Sequence, residues 1–249
     1  MPGQQVDADQ GALVRELMEL SGAKDYTEHV AMYGPVLAKT MASTTDTPYE
    51  ILYKVFSEAW RPDLFNRGLE NYLNKNFNRG YCLQALEWLR SPLGRKITQA
   101  EVEADLPDSQ PRAESYAKQL QRTPPTQRRM ELIEKVAEAS GKIEFAAAAQ
   151  VFVARALNPG RQFTAGELEA LRKRSHDAIM MSGGPAYPYR ALTSDELIKY
   201  IEFLESDAGK WCQKTVLGAF KETMLTASVE LGKQLAKAAA RRGPTTVPK

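Results

Sequence analysis

Leu13-Val14-Arg15-Glu16-Leu17-Met18-Glu19-Leu20-Ser21-Gly22 and Leu132-Ile133-Glu134-Lys135-Val136-Ala137-Glu138-Ala139-Ser140-Gly141 are one short passage written twice. Each is an amphipathic run closed by Ser-Gly, the punctuation of a helix stop. The offset is 119 residues, from Gly22 to Gly141, and it also lays Tyr26 on Phe145. Later, Ser91-Pro92-Leu93-Gly94-Arg95 falls on Ser206-Asp207-Ala208-Gly209-Lys210 at an offset of 115. Just before that block, Leu86 falls on Ile201, Trp88 on Phe203 and Leu89 on Leu204. Two blocks in the same order at nearly one offset argue for an internal duplication. In each copy a helix ends, a Ser caps the next, and a Gly in its first turn lets the preceding helix approach.

Outward from these blocks the period is helical. Tyr26, Val30, Tyr33 and Leu37 form one apolar stripe, and Leu197, Ile201 and Leu204 another. No sustained alternation of apolar and polar residues suggests a strand. Helix starts are marked by the capping boxes Thr47-Pro48-Tyr49-Glu50, Thr164-Ala165-Gly166-Glu167 and Thr193-Ser194-Asp195-Glu196. Ser91-Pro92 and Thr123-Pro124 read as further starts. The expected fold is all-α: two tandem diverged helical-bundle repeats packed into one assembly. The expected boundaries are an N-terminal tail over 1–11, a first repeat over 12–104, and a polar, proline-containing linker over 105–125. A second repeat follows over 126–242 with a long last helix from about Asp207 to Ala240, then a disordered tail over 243–249. Asn158-Pro159-Gly160 reads as a turn, and residues 182–189, Ser-Gly-Gly-Pro-Ala-Tyr-Pro-Tyr, as an exposed loop.

Composition narrows the function classes. Hydrophobic residues at 43% and charged residues at 26% suit a globular chain that needs no metal or disulfide staple. The 33 basic residues nearly cancel against 31 acidic ones, so despite clusters such as Arg172-Lys173-Arg174 nucleic acid is not the expected partner. No apolar run is long enough to span a bilayer. The polar start, Met1-Pro2-Gly3-Gln4-Gln5, has no apolar signal core. That fits the cytoplasm, and fits equally a mature chain given a start codon.

The block Phe203-Leu204-Glu205-Ser206-Asp207-Ala208-Gly209-Lys210, following Leu192-Thr193-Ser194-Asp195-Glu196-Leu197, resembles the signature of a bacterial family known as domain of unknown function two-zero-five-nine. Residues 130–225 resemble it better, and 12–104 resemble a weaker copy with Trp88 where that family prefers Phe. The resemblance implies an all-α fold and export to the periplasm. It implies no catalytic residues.

The residues themselves point to no reaction. There is no nucleophile elbow, phosphate-cradling glycine loop or metal-binding histidine pair, so no catalytic, cofactor or metal residue is expected. His29 reads as a boundary histidine beside an apolar stripe, and His176 as part of a solvated face. Cys82 and Cys212 each align with an aliphatic residue of the other copy. They fit core packing, or a disulfide joining the halves if their Cα atoms lie within about 7 Å. The expected contact surface is Tyr187, Tyr189 and Arg190 in the loop, with Leu231 and Leu235 on the last helix. The far end of that helix fits either a partner or the first repeat. The expected function is a non-enzymatic envelope protein binding a protein partner or an amphipathic ligand between its units. The alternatives are an enzyme whose site is assembled from dispersed residues, or a weak nucleic-acid binder.

Overall fold

The computed structural model describes residues 8–43, 47–59, 61–157, 160–181 and 185–240. Among these, every regular element is a helix. In chain order they are α1 (Ala8–Leu20), α2 (Ala23–Ala42), α3 (Tyr49–Ala59), α4 (Pro62–Lys75), α5 (Arg79–Arg90) and α6 (Pro92–Ala104). A 3-10 turn (Pro107–Ser109) leads to α7 (Gln110–Arg122), then α8 (Gln127–Ala139), α9 (Lys142–Leu157), α10 (Ala165–Met181), α11 (Ser194–Glu205) and α12 (Asp207–Ala240). Residues 8–11, expected as tail, are the first turn of α1. Residues 1–7, those after Ala240, Asn158-Pro159 of the turn and Ser182-Gly183-Gly184 of the loop lie outside the described residues. So do the side chains of Val30, Tyr33 and Leu37.

The local signals act as their chemistry requires. The Thr193 hydroxyl accepts from the Glu196 N–H while the Glu196 carboxylate accepts from the Thr193 N–H, so α11 opens on a complete capping box. Thr164 and Glu167 exchange the same pair of bonds ahead of α10. Gly22 and Gly141 close α1 and α8 at φ of 74° and 69°, conformations that cost a side chain dearly. The kinks after α5 and α11 are built alike: Ser91 Oγ accepts from the Gly94 N–H, and Ser206 Oγ from the Gly209 N–H, each at 3.0 Å.

Two of the expected boundaries need correction. The segment 105–125 is no plain linker, because α7 occupies most of it. Pro111 stands in the first turn of that helix, where its missing N–H has no partner to lose. The helix after Thr123-Pro124 starts three residues later, at Thr126, whose hydroxyl caps the Arg129 N–H.

Apolar side chains gather in two clusters. The first takes Leu13, Val14 and Leu17 of α1, Leu52 and Phe56 of α3, Phe65 and Leu69 of α4, and Cys82 and Leu86 of α5. To these α12 adds Cys212, Ala219, Phe220, Met224 and Leu231. The second joins Ile133 and Val136 of α8 to Leu197, Ile201 and Leu204 of α11, with Ile97 contributed by α6. Helix α12 therefore packs into the cluster built on α1, α3, α4 and α5, and α6 into the one built on α8 and α11. Where the clusters meet, the rings of Trp88 and Phe203 stack at 4.9 Å and 9°.

The expected contact surface is corrected at its centre. Pro185 to Tyr189 is buried rather than exposed. Tyr189 is 0% exposed and Tyr187 is 3% exposed. Tyr189 supplies apolar area to the second cluster, and the hydroxyls of both are satisfied inside the fold. Tyr187 meets Tyr116 of α7 edge-on, accepts a bond from Arg112 Nε at 3.2 Å, and lies under the Arg190 guanidinium, 4.0 Å from its centroid. Leu231 is buried in the first cluster and Leu235 packs against it. The end of α12 thus covers the first half of the chain itself.

Candidate ligand-binding cavity

Between the two clusters lies a cavity of about 490 Å³, within the range of small-molecule sites. Its walls come from helix faces at helical spacing. Tyr26 and His29 lie on α2, Glu101 on α6, and Asp105 just past its end. Lys142, Phe145 and Ala149 lie on α9, Tyr200 on α11, and Cys212, Val216, Phe220 and Met224 on α12. Ser21 and Ser140, beside the two left-handed glycines, complete it.

One wall is polar and tightly bonded. Lys142 Nζ stands 3.1 Å from Glu101 Oε1 and donates to Tyr189 Oη at 3.2 Å. Tyr189 and Tyr200 both donate to Glu101. Behind them, Arg129 donates to the Tyr189 carbonyl at 2.8 Å and ties the buried loop to α8. Asp105 lies near the Tyr26 hydroxyl. Burial and the neighbouring carboxylates push the hydroxyls of Tyr26, Tyr189 and Tyr200 well above the usual phenol range. Burial works against the Lys142 charge, but Glu101 and Asp105 outweigh it, and the ammonium is held above its ordinary value. The network therefore rests with Lys142 protonated and its tyrosines neutral. The Lys142 side chain keeps 30% exposure and that of Glu101 14%.

The other wall is hydrocarbon. Tyr26 and Phe145 both meet the Phe220 ring edge-on, at 6.1 and 5.9 Å, and Val216, Leu217 and Met224 extend the surface. Two buried polar atoms on the lining, His29 Nδ1 and Ser21 Oγ, have no hydrogen-bond partner among the described residues. His29 is 7% exposed. Buried polar atoms are almost always bonded, so these mark a place prepared for something else.

The structure brings few of the singled-out residues here. His29 lies on the cavity and not on a plain boundary, and Cys212 is part of its wall. Tyr189 stands behind the network through its hydroxyl. His176 is remote, 3.4 Å from Glu134 and 3.2 Å from Asp177. Cys82 and Cys212 are free thiols in the first cluster. Sequence reasoning missed Glu101, Asp105, Lys142 and Tyr200. The signal was in the offset blocks, which pair them with Val216, Phe220, Ala23 and Ala85, a polar group opposite an apolar one each time.

Among the described residues no group of histidine, cysteine and carboxylate side chains is placed to hold a metal ion. None of the described helices is long and apolar enough to cross a membrane. No family model matches the chain, and neither the curated proteins nor the solved structures contain a match to it.

Proposed function

We propose that this chain is two diverged copies of one helical unit, and that it binds an amphipathic small molecule in the cavity between them. The observation that carries the reading is the cavity itself: one hydrocarbon wall, one hydrogen-bonded wall, and two buried polar atoms left without partners.

Equivalent positions support the duplication. At the offset of the first block, α1 maps onto α8 end to end, and at that of the second, α5 maps onto α11. A side chain at Gly22 would strike Val102, and one at Gly141 would strike Leu217, which is the equivalent of Val102. Trp88 stacks on its own equivalent, Phe203, as residues beside a pseudo-two-fold axis do. Ile97 and Cys212, also equivalents, sit in each other's clusters. The equivalents Ser21 and Ser140, and Tyr26 and Phe145, all line the cavity, as they would if that axis passed through it. Duplication supplies two like walls, and divergence has made one polar. Recognition fits this site better than proton transfer, because the cluster is held in its resting charge states. A protein-partner reading has less support, since three of its expected anchors, Tyr187, Tyr189 and Leu231, are buried. An envelope location rests on the resemblance of the 203–210 block.

A native mass spectrum of the protein purified gently from its host, beside a denatured one, tests the reading. The native chain is expected to carry an added mass that denaturation releases. Ala149→Trp, which fills the cavity, is expected to lose it. A chain that is bare in both spectra, and whose melting temperature the host's lipid extract does not raise, would sink the proposal.

A further inference from the structure

The charge on the cavity wall says which head group belongs there, an inference that rests on the binding reading above. The ionised groups on the lining are Glu101, Asp105 and Lys142, two carboxylates against one cation. Lys142 is committed to Glu101 at 3.1 Å. Asp105 lies near the Tyr26 hydroxyl, and among the described residues it has no cationic nitrogen within 4.0 Å. Lys142 acts on this part-buried carboxylate through space but is bonded to Glu101, so Asp105 is left without a directly paired charge.

The groups beside Asp105 suit a positive donor. Tyr26, near the carboxylate, also meets His29 edge-on, their ring centroids 6.3 Å apart. His29 Nδ1 and Ser21 Oγ are both buried and unbonded, and each can accept from an N–H. The rings of Tyr26, Phe145 and Phe220 offer π-electron density, which attracts cations and not anions. An anionic head would meet two carboxylates, and the one available cation is already paired. We infer that the cavity takes a cationic amphiphile, an organic ammonium whose head pairs with Asp105 beside His29 and whose apolar tail lies along Val216, Phe220 and Met224.

Three probes of equal tail length separate the possibilities: octylammonium, octanol and octanoate, each titrated calorimetrically into the full chain at pH 7 below its self-association concentration. Octylammonium is expected to bind about tenfold more tightly than either of the others, as a charge-assisted bond predicts. Asp105→Asn is expected to bring it within about twofold of octanol measured on the same variant. Octanol or octanoate binding as tightly as octylammonium to the native chain overturns the cationic head and leaves the cavity reading standing. Binding by none of the three overturns both. The comparison on the native chain needs no substitution, so it decides the matter even if the Asp105 variant does not fold.

Discussion

A thiol surrounded by hydrocarbon gains nothing by ionising. Burial pushes the Cys212 thiol up to about 12, with Cys82 nearby adding to it, and pushes Cys82 up to about 11. Both are expected to be inert to a disulfide-exchange reagent at pH 8 in the folded protein, and both to titrate at once in guanidinium chloride. Fast labelling of either in the native state would mean that the first cluster opens far more readily than its burial implies. His176 is the contrary case, a half-buried group that gains by charging. Hydrogen bonding to Asp177 first, and to Glu134, holds its pKa above the ordinary 6.5. The folded state binds that proton more tightly than the unfolded chain. Its contribution is therefore complete below about 6.5 and is lost as pH rises through the folded value. The stability difference between the native chain and His176→Ala should shrink over that rise. A difference that is flat from pH 5 to pH 9 would mean the two carboxylates do not engage the ring in solution.

At the scale of elements, the kinks after α5 and α11 are where a helix packs closest on the backbone before it. A Cβ on Gly209 would lie 1.9 Å from the Phe203 carbonyl oxygen, and one on Gly94 2.2 Å from that of Trp88. A carbonyl in a helix end cannot swing away as a side-chain tip can. Gly209→Ala is expected to cost at least about 2 kcal/mol, a fall in Tm of roughly 4 °C or more. Gly166, in the first turn of α10, has open space around it. The same change there is expected to add about 0.4–1 kcal/mol by restricting the unfolded chain. Thermal melts of the two variants check both signs, and a harmless Gly209→Ala would mean that α12 can tilt freely against α11. These kinks were legible in sequence, because Ser-x-x-Gly is a local device. The same holds for α12, which runs from Asp207 to Ala240 as its cap at Ser206 led one to expect. The helix α7 was hidden because Pro107 and Pro111 look like breakers until one is seen to open a 3-10 turn and the other to stand in the first turn of α7. The burial of Tyr187 and Tyr189 was hidden for a different reason: a loop with two prolines says nothing about the helices that will close over it. Glu101, Asp105 and Lys142 look like solvated charges on amphipathic helices. What sets them apart is the company of residues about 40 to 120 positions away, which only folding supplies.

For the whole molecule the consequence is that neither half is complete. Without α12 the first cluster loses Cys212, Ala219, Phe220, Met224 and Leu231 together, a wall that touches α3, α4 and α5. Without α6 the second loses Ile97 from among Ile133, Val136 and Leu197. Burying several large side chains is worth roughly 1.5–3 kcal/mol each, against a net stability for a domain of only about 5–15 kcal/mol. Removing one wall should therefore unfold a half rather than loosen it. The chain can be divided between α7 and α8, where Thr123–Thr126 is extended and mostly exposed. Two fragments made there are expected to show weak helical circular dichroism apart, and to regain it with one cooperative melt when mixed. The cavity has walls from both fragments, Tyr26 and Glu101 from one and Lys142 and Phe220 from the other, so octylammonium binding should return only with the mixture. If the N-terminal fragment alone melts cooperatively with full helicity, α12 is a cover and not part of its core, and the exchange of helices between halves is wrong. If the mixture refolds but binds nothing that the uncut chain binds, the cavity depends on strain carried across the α7–α8 loop rather than on the packing of the two halves.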